Sequence, residues 1–200
     1  IEIKDKENQL EKVKEKLNVD NLHGEELDKY IYQRTGLVRH PATYATTTVL
    51  IKGQEGASIS KGDLVASDTV NFVSLEDKII DSTGEMLVKV QCEEPGVIGN
   101  VPVGAIRYFP VTIPGLVSVT NLEAVTNGYD AESDESYRER YYERMKTPAT
   151  SGNKYHYINL AKEVVGVGDA RVVPLWDGPN TVKIVIIDSN KQPASIDLVN

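Results

Sequence analysis

The sequence has few of the residues that build disulfides and metal sites. Its 200 residues include one cysteine, Cys92, and three histidines, His23, His40 and His156. A single cysteine cannot form an internal disulfide, which suits folding in a reducing cytoplasm. The histidines lie far apart in the sequence, and none has a second ligand at metal-binding spacing. We therefore expect no internal disulfide and no metal site.

Positive charge and long apolar runs are also scarce. The sequence has 22 basic and 30 acidic residues, which gives a formal net charge of −8 at pH 7. Such a protein repels nucleic-acid phosphates and anionic membrane surfaces. No run of 18 apolar residues is present, and no charged-then-apolar leader opens the chain. The sequence predicts no nucleic-acid partner, no membrane span and no secretion.

The residue patterns that mark most enzymes are missing. Glu93 and Glu94 would point to opposite faces of a strand, and no acid is placed opposite them or opposite the acidic pair at 25–26. The Gly-Ala-Ser triplet at 56–58 lacks a nucleophile elbow, and the Gly-x-x-Gly at 96–99 lacks the Lys-Ser/Thr of a phosphate loop. We expect no catalytic residue and no cofactor, and hence a protein that is not an enzyme.

One acidic stretch has the spacing of part of a calcium loop. Residues 130–135 read Asp-Ala-Glu-Ser-Asp-Glu. Glu135 stands at the sixth position, where a calcium loop needs glycine, and Tyr141 stands at the twelfth, where it needs a bidentate glutamate. The same acids suit the first turn of a helix capped by Ser133. The stretch therefore predicts the start of a helix and no calcium site.

Periodicity divides the chain into a helical segment at 1–40, a β-rich segment at 41–126 and an α+β segment at 127–200. In the first segment the apolar residues Leu10, Val13 and Leu17 form a narrow helical stripe, and a second helix is expected at 24–33. In the middle segment short β-branched stretches alternate with turns, which is typical of an antiparallel sandwich or barrel. The predicted fold class is therefore α+β.

The last segment predicts helices around a β-hairpin. After the helix that Ser133 caps, a second helix is expected with Ser151 as its cap. Strands at 170–176 and 181–187 flank the turn sequence Asp-Gly-Pro-Asn, and Ser195 begins a further helix. This order is typical of a small α+β sandwich, ferredoxin-like if a further strand follows. We expect that fold to be truncated at its C-terminus.

A run of glycine and proline at 95–106 is the most specific feature of the sequence. It reads Pro-Gly-Val-Ile-Gly-Asn-Val-Pro-Val-Gly-Ala-Ile and contains no reactive side chain. Glycine permits positive φ or close backbone approach, and proline fixes φ at about −65°. A segment with a restricted backbone conformation and no reactive side chain indicates a structural scaffold.

This run and the sequence Ile-Pro-Gly-Leu-Val-Ser-Val-Thr-Asn at 113–121 resemble the phage baseplate J-like family. Family members carry Gly-x-x-Gly-Asn-Val-Pro-x-Gly-x-Ile followed by Gly-Val-x-x-Val-x-Asn, and here Leu116 stands where valine is commoner. Further matches follow in the family order: Leu-Asp at 27–28, Gly-Leu-x-Arg at 36–39, Ala-Thr-x-Ala at 42–45, Ile-x-x-Gly at 59–62, Gly-x-Asp-x-Glu-Ser at 128–133 with Arg138, and Gly-Val at 166–167. Each is a turn pattern, so their collinear order carries the resemblance.

The resemblance implies a structural wedge subunit in the baseplate of a contractile or related phage tail, a phage-derived bacteriocin or an injection machine. Within the family, the sequence most resembles the defective-prophage members of Bacillus. Such a subunit would assemble in the host cytoplasm with copies of itself and with other baseplate and tail proteins around the tail tube. No activity, cofactor or catalytic residue comes with the resemblance. Because the chain begins at Ile1 and not at methionine, we expect a fragment of a longer polypeptide.

Surface residues for such assembly are predicted from residue type. Tyrosine and arginine are favoured at protein–protein interfaces, and an apolar stripe on a polar helix favours a docking partner. The predicted interface residues are Leu10, Val13, Leu17, Tyr137, Arg140, Tyr141, Tyr142 and Arg144.

Two other functions stay open at this point. A receptor- or carbohydrate-binding tail module would display an aromatic platform, whereas Trp176, Phe72 and Phe109 are scattered in the sequence. A tail-associated peptidoglycan hydrolase would need a pair of acids that the sequence does not place together.

Overall fold

The computed structural model describes residues 6, 9–14, 18–146 and 152–200, and contacts divide the chain into two compact units. The helical unit comprises the described residues within 1–40, 132–165 and 169–185. The sheet unit comprises residues 41–131, 166–168 and 186–200. The three-segment division of the sequence stays a prediction.

The helical unit is built around two helices, α1 (Gly24–Thr35) and α2 (Asp134–Lys146). The Oγ of Ser133 accepts a hydrogen bond from the N–H of Ser136 at 3.2 Å, so this residue caps α2 as the sequence predicts. Apolar side chains from both helices and their flanks form one core. Its buried members are Val19, Leu22, Leu27, Ile31, Leu37, Tyr137 and Tyr141.

A third helix, α3 (Lys154–Lys162), also belongs to the helical unit. Its N-cap is Asn153, whose Oδ1 accepts a hydrogen bond from the N–H of His156 at 2.8 Å. Asparagine is as good a cap as serine, so the helix begins later than predicted. The predicted cap, Ser151, lies outside the described residues. Residues 9–14 are helical too.

The sheet unit contains seven consecutive strands. Their bounds are β1 (Tyr44–Gly53), β2 (Ser58–Ile59), β3 (Leu64–Ala66), β4 (Asn71–Ser74), β5 (Lys78–Ile79), β6 (Glu85–Pro95) and β7 (Leu116–Asn121). Five of them form an antiparallel sheet in the order β3-β4-β6-β1-β7, and β2 pairs with β5. β1 and β6 run side by side from Thr46 opposite Gln91 to Lys52 opposite Glu85.

Alternation along β6 shows how this sheet makes its core. Met86, Val88, Val90 and Cys92 are buried, whereas most residues between them are exposed. The sheet curls into a half-barrel around this apolar face, which confirms the predicted α+β class with an antiparallel, barrel-like part. Burial raises the pKa of the Cys92 thiol, which favours its unreactive form.

The predicted hairpin and final helix are present. β8 (Val167–Pro174) and β9 (Val182–Asp188) pair with each other, and residues of both units contribute to them. α4 (Ile196–Val199) follows, with the Oγ of Ser195 accepting a hydrogen bond from the N–H of Leu198 at 3.3 Å. Among the helices that the structure describes, none has the length and apolar character needed to cross a lipid bilayer.

Candidate functional site

The glycine- and proline-rich run folds against residues 128–130 within the sheet unit. Gly96 has a φ of 109°, and a Cβ at this position would lie 2.5 Å from Oδ1 of Asp130. That oxygen accepts a hydrogen bond from the N–H of Val97 at 2.9 Å. A side chain at position 96 would therefore displace Asp130 and also strain the backbone.

Asn100 joins the same two stretches through its amide. Its Nδ2 donates to the carbonyl of Gly128 at 2.9 Å, and its Oδ1 accepts from the N–H of Gly128 at 2.8 Å. A Cβ on Gly128 would lie 2.4 Å from the carbonyl oxygen of Gly96 and 2.9 Å from the Asn100 Oδ1. The two backbones are thus in contact at a distance that admits no side chain.

Asn121 makes a second clamp at the far end of the run. It is fully buried, and its Oδ1 accepts a hydrogen bond from the N–H of Ile106 at 3.0 Å. Its Nδ2 donates to the carbonyls of Pro102 at 2.9 Å and Glu123 at 2.7 Å. The amide therefore joins three backbone groups from separate positions of the chain, at residues 102, 106 and 123.

The chemistry of this arrangement is structural. The side chains of Asn100, Asn121 and Asp130 bond to the backbone, and we call the three the motif interlock. The remaining side chains of the run are aliphatic. Within the described part of the chain, no three histidine, cysteine or acidic side chains are grouped so as to hold a metal ion.

A charged cluster holds the start of α2 in the helical unit. The Arg39 guanidinium donates to Oδ1 of Asp28 at 2.7 Å, to Oδ1 of Asp134 at 2.6 Å and to the carbonyl of Glu132 at 2.7 Å. Asp134 also accepts from the N–H of Gly24 at 3.2 Å. One arginine thus ties α1 to the segment that precedes and begins α2.

The ionised form of Asp134 is favoured by this cluster. Burial opposes ionisation, but hydrogen bonds from the Gly24 N–H, Arg39 and His23 outweigh it and hold the pKa of Asp134 below its ordinary value. Its charge therefore stabilises the folded helical unit.

The substitution Asp134→Asn is expected to weaken the dependence of stability on acid. Since the folded-state pKa is depressed, the carboxylate stabilises the fold above about pH 4, and that contribution is lost as the pH falls through the folded-state pKa. The urea midpoint of the wild type should fall more between about pH 5 and pH 3 than that of the variant. Asp177→Asn, an exposed site with no ion pair among the described residues, should keep the wild-type slope. Equal slopes for Asp134→Asn and the wild type would contradict the assignment.

A second ion pair lies deeper in the helical unit. The side chains of Arg140 and Glu132 are 11% and 6% exposed, and two hydrogen bonds of 2.8 and 2.7 Å join them. Arg140 also donates to the carbonyl of Val38 at 2.7 Å. The guanidinium carbons of Arg39 and Arg140 lie 4.9 and 5.5 Å from the centroid of the Tyr137 ring. The pair and this ring pack as one group.

The predicted interface residues occupy different environments. Leu10 and Val13 are exposed, and Leu17 lies outside the described residues. Tyr142 is partly exposed, with its hydroxyl donating to Asp20 at 2.8 Å, and Arg144 donates to Glu163 at 2.9 Å.

Three other predicted interface residues differ from the expected surface position. Tyr137 and Tyr141 are only 1% and 7% exposed because their rings pack on α1, and the Tyr137 hydroxyl donates to the carbonyl of Leu37 at 2.7 Å. The Arg140 side chain is largely buried inside the unit, where Glu132 neutralises its charge. These three side chains hold the helical unit together.

Sequence reasoning missed an exposed apolar tip on the β8–β9 hairpin. Leu175 and Trp176 are mostly exposed, and Leu175 has a φ of 55°, which is unusual for a branched aliphatic residue. The Nζ of Lys183 lies 3.6 Å from the centroid of a Trp176 ring. The signal in the sequence is two large apolar residues directly before the turn Asp-Gly-Pro-Asn.

Known proteins resemble the chain along most of its length. The phage-like element PBSX protein XkdT of Bacillus subtilis (strain 168) is 36% identical over 187 residues, which are 93% of this chain and 50% of that protein. The baseplate protein gp47 of Escherichia phage Mu is 26% identical over 171 residues, 82% of this chain and 48% of that protein. The chain therefore spans about half the length of these relatives.

A solved structure shares the fold. In the cryo-EM structure of the anti-feeding prophage baseplate, 6-fold symmetrised, one chain matches with a TM-score of 0.55 and 11% identity, over 85% of this chain and 55% of that one. At that identity the likeness concerns the fold alone.

Two family models match the sequence. The Baseplate J-like protein barrel domain matches residues 48–128, which include Asn100 and Asn121, two of the three residues of the motif interlock. The Baseplate J-like central domain matches residues 149–200. The resemblance drawn from the glycine and proline motifs is confirmed. Since the two matches together span more than half of the sequence, the chain belongs to the baseplate J-like family.

Proposed function

We propose that this chain is a structural part of the tail baseplate of a phage or phage-like particle. The observation that carries the proposal is the pair of baseplate J-like matches, which follow each other along the sequence. Relatives that are named as a baseplate protein of phage Mu and as a protein of a phage-like element support it. Because the chain spans about half of those relatives, the role of the whole protein is part of the proposal.

The proposed role is mechanical and needs no catalysis. The polar side chains of the motif interlock bond to backbone groups, which suits a rigid element that keeps its shape under load. Its partners would be other wedge and tail proteins and further copies of the chain around the tail tube. Assembly would take place in the bacterial cytoplasm.

Localisation in purified particles tests this function. A tagged copy, produced in the phage or prophage host that encodes it, should copurify with tails and be labelled by gold-conjugated antibody at the end distal to the capsid. A tagged capsid protein made in the same host should label only the head. Tails that assemble normally and lack the chain would reject the proposal.

Four of the predicted contact residues have side chains that lie wholly or partly at the surface: Leu10, Val13, Tyr142 and Arg144. Leu17 is proposed with them from the sequence alone. Alanine in place of a true anchor costs about 2 kcal/mol or more of binding energy. Arg144→Ala should therefore reduce incorporation into tails and leave folding almost unchanged, since its ion pair with Glu163 is exposed.

The matched control is Lys61→Ala in an exposed turn of the sheet unit. Incorporation should be scored by quantitative immunoblot of purified tails. If Leu10→Ala, Tyr142→Ala and Arg144→Ala all enter tails as well as Lys61→Ala does, this choice of contact residues is wrong.

A further inference from the structure

The sequence contains one asparagine that directly precedes a glycine, at Asn127–Gly128. Asparagine in this position is the most prone to deamidation, because glycine has no Cβ to hinder the approach of its nitrogen to the neighbouring side chain. In that reaction the Gly128 nitrogen loses its proton and bonds to Cγ of Asn127, and the Nδ2 group leaves as ammonia. Water then opens the resulting succinimide at either carbonyl, which leaves aspartate or isoaspartate at position 127.

The folded sheet unit holds the side chain that would react. The N–H of Thr46 donates to Oδ1 of Asn127 at 2.9 Å, and Nδ2 of Asn127 donates to the carbonyl and hydroxyl oxygens of Thr46, each at 3.0 Å. Thr46 belongs to β1, which pairs with β6 along most of its length. The amide of Asn127 is therefore fixed to the sheet and cannot turn towards Gly128 without losing these bonds.

The peptide bond between Asn127 and Gly128 is held on both sides. The N–H of Gly128 donates to Oδ1 of Asn100 at 2.8 Å, and the carbonyl of Asn127 accepts from the hydroxyl of Thr43 at 3.2 Å. Gly128 is buried, with the carbonyl oxygen of Gly96 only 2.4 Å from its Cβ position. The attacking nitrogen thus keeps its proton in a hydrogen bond and has no space to move towards Cγ.

We propose that Asn127 is a site of spontaneous deamidation, which the folded sheet unit suppresses and which makes prolonged unfolding irreversible. Aspartate has no N–H to donate to the two oxygens of Thr46. Isoaspartate adds a carbon to the backbone directly before Gly128, where the surrounding atoms leave no room for one. Neither product restores the folded contacts. This site lies in the sheet unit and does not depend on the proposed baseplate role.

An exposed asparagine before a glycine gives the matched comparison. Asp177→Asn creates one in the exposed turn between β8 and β9, where no hydrogen bond among the described residues holds the N–H of Gly178. Wild type and variant are incubated at mildly alkaline pH, folded and in guanidinium chloride, and peptide mass spectrometry follows deamidation at each position. In denaturant both positions should react. In buffer, position 177 of the variant should react almost as fast as in denaturant. Asn127 should react about a hundredfold or more slowly than in denaturant, because its reaction waits for the sheet unit to open.

Two substitutions test whether the hydrogen bonds themselves suppress the reaction. Asn100→Ala frees the N–H of Gly128 and should raise the rate at Asn127 in the folded protein by about tenfold. Thr46→Val removes one acceptor of the Asn127 amide and should raise that rate by about threefold. Thr48→Val, on the same exposed face of β1, is the control and should match the wild type. Thr46→Val carries the test if circular dichroism shows that Asn100→Ala does not fold.

Refolding yield tests the consequence of the modification. Chains held in denaturant until Asn127 has reacted should recover the native circular dichroism spectrum in lower yield than chains unfolded briefly. A folded wild type that deamidates at Asn127 as fast as the unfolded chain overturns the proposal, and so does an unfolded chain that does not deamidate there. Folded-state rates unchanged by Asn100→Ala and Thr46→Val, or full refolding of deamidated chains, would also contradict it.

Discussion

Replacement of Gly128 by alanine is expected to destabilise the sheet unit by about 3 kcal/mol. The new Cβ would lie 2.4 Å from the carbonyl oxygen of Gly96 and 3.1 Å from the Cβ of Ala45. Neither neighbour can give way easily: Ala45 is fully buried, and the residue after Gly96 is held by Asp130. Any shift that relieves the contact also lengthens the two hydrogen bonds between Asn100 and Gly128.

A glycine in open space provides the control. Gly62 has a φ of 99° and no atom within 4 Å of its Cβ position, so Gly62→Ala introduces backbone strain without a clash. Its cost should be about 1 kcal/mol. Urea denaturation of both variants measures the difference in the free energy of unfolding. If the Gly128→Ala variant is no less stable than Gly62→Ala, the backbone around the motif interlock shifts easily to accommodate the new Cβ.

The sequence predicts the turns of the motif interlock but not their partners. Glycine and proline patterns specify local backbone angles, and the order of those patterns was enough to indicate the family. The pairing of Asn100 with Gly128 depends on two turns 28 residues apart, and no local rule brings them together. What the sequence does offer is an asparagine in a glycine-rich turn, whose amide can donate and accept at once.

The burial of side chains on α2 is a second feature that the sequence alone does not predict. Tyr137 and Tyr141 are one turn apart, so helical periodicity correctly places them on one face. Whether that face meets solvent or another helix depends on Leu27 and Ile31 of α1, about a hundred positions earlier in the chain. Tyrosine suits both environments because its ring is apolar and its hydroxyl polar. The prediction of a surface position is therefore wrong for Tyr137 and Tyr141, whereas Tyr142, the next residue along the chain, is partly exposed.

Charged residues were the least predictable part of the helical unit. The acids at 132–135 look like an ordinary helix start, and Arg39 and Glu132 belong to separate motifs of the family resemblance. In the structure these motifs meet, since Arg39 donates to the Glu132 carbonyl. Ion pairs between distant positions have no periodicity, so only the folded chain reveals them.

Glu132→Gln is expected to destabilise the helical unit by about 3 kcal/mol, because removal of one partner leaves a buried charge uncompensated. The amide would retain one oxygen, while its NH₂ group would face donors of Arg140 or the N–H of His40, which lies 3.1 Å from Oε2. Arg140 cannot lose its proton, and at 11% exposure water does little to replace the missing charge.

The exposed pair of Lys52 and Glu85 is the control for this variant. Its side chains are 53% and 45% exposed, so Glu85→Gln should change the free energy of unfolding by less than about 0.5 kcal/mol. The double variant Glu132→Leu with Arg140→Met should lose less stability than Glu132→Leu and Arg140→Met lose in sum, because neither charge is then left alone. Urea unfolding of the four proteins completes the cycle. Additive losses would mean that the two side chains act independently. The ion pair would then not be the interaction that joins the segment before α2 to the helix.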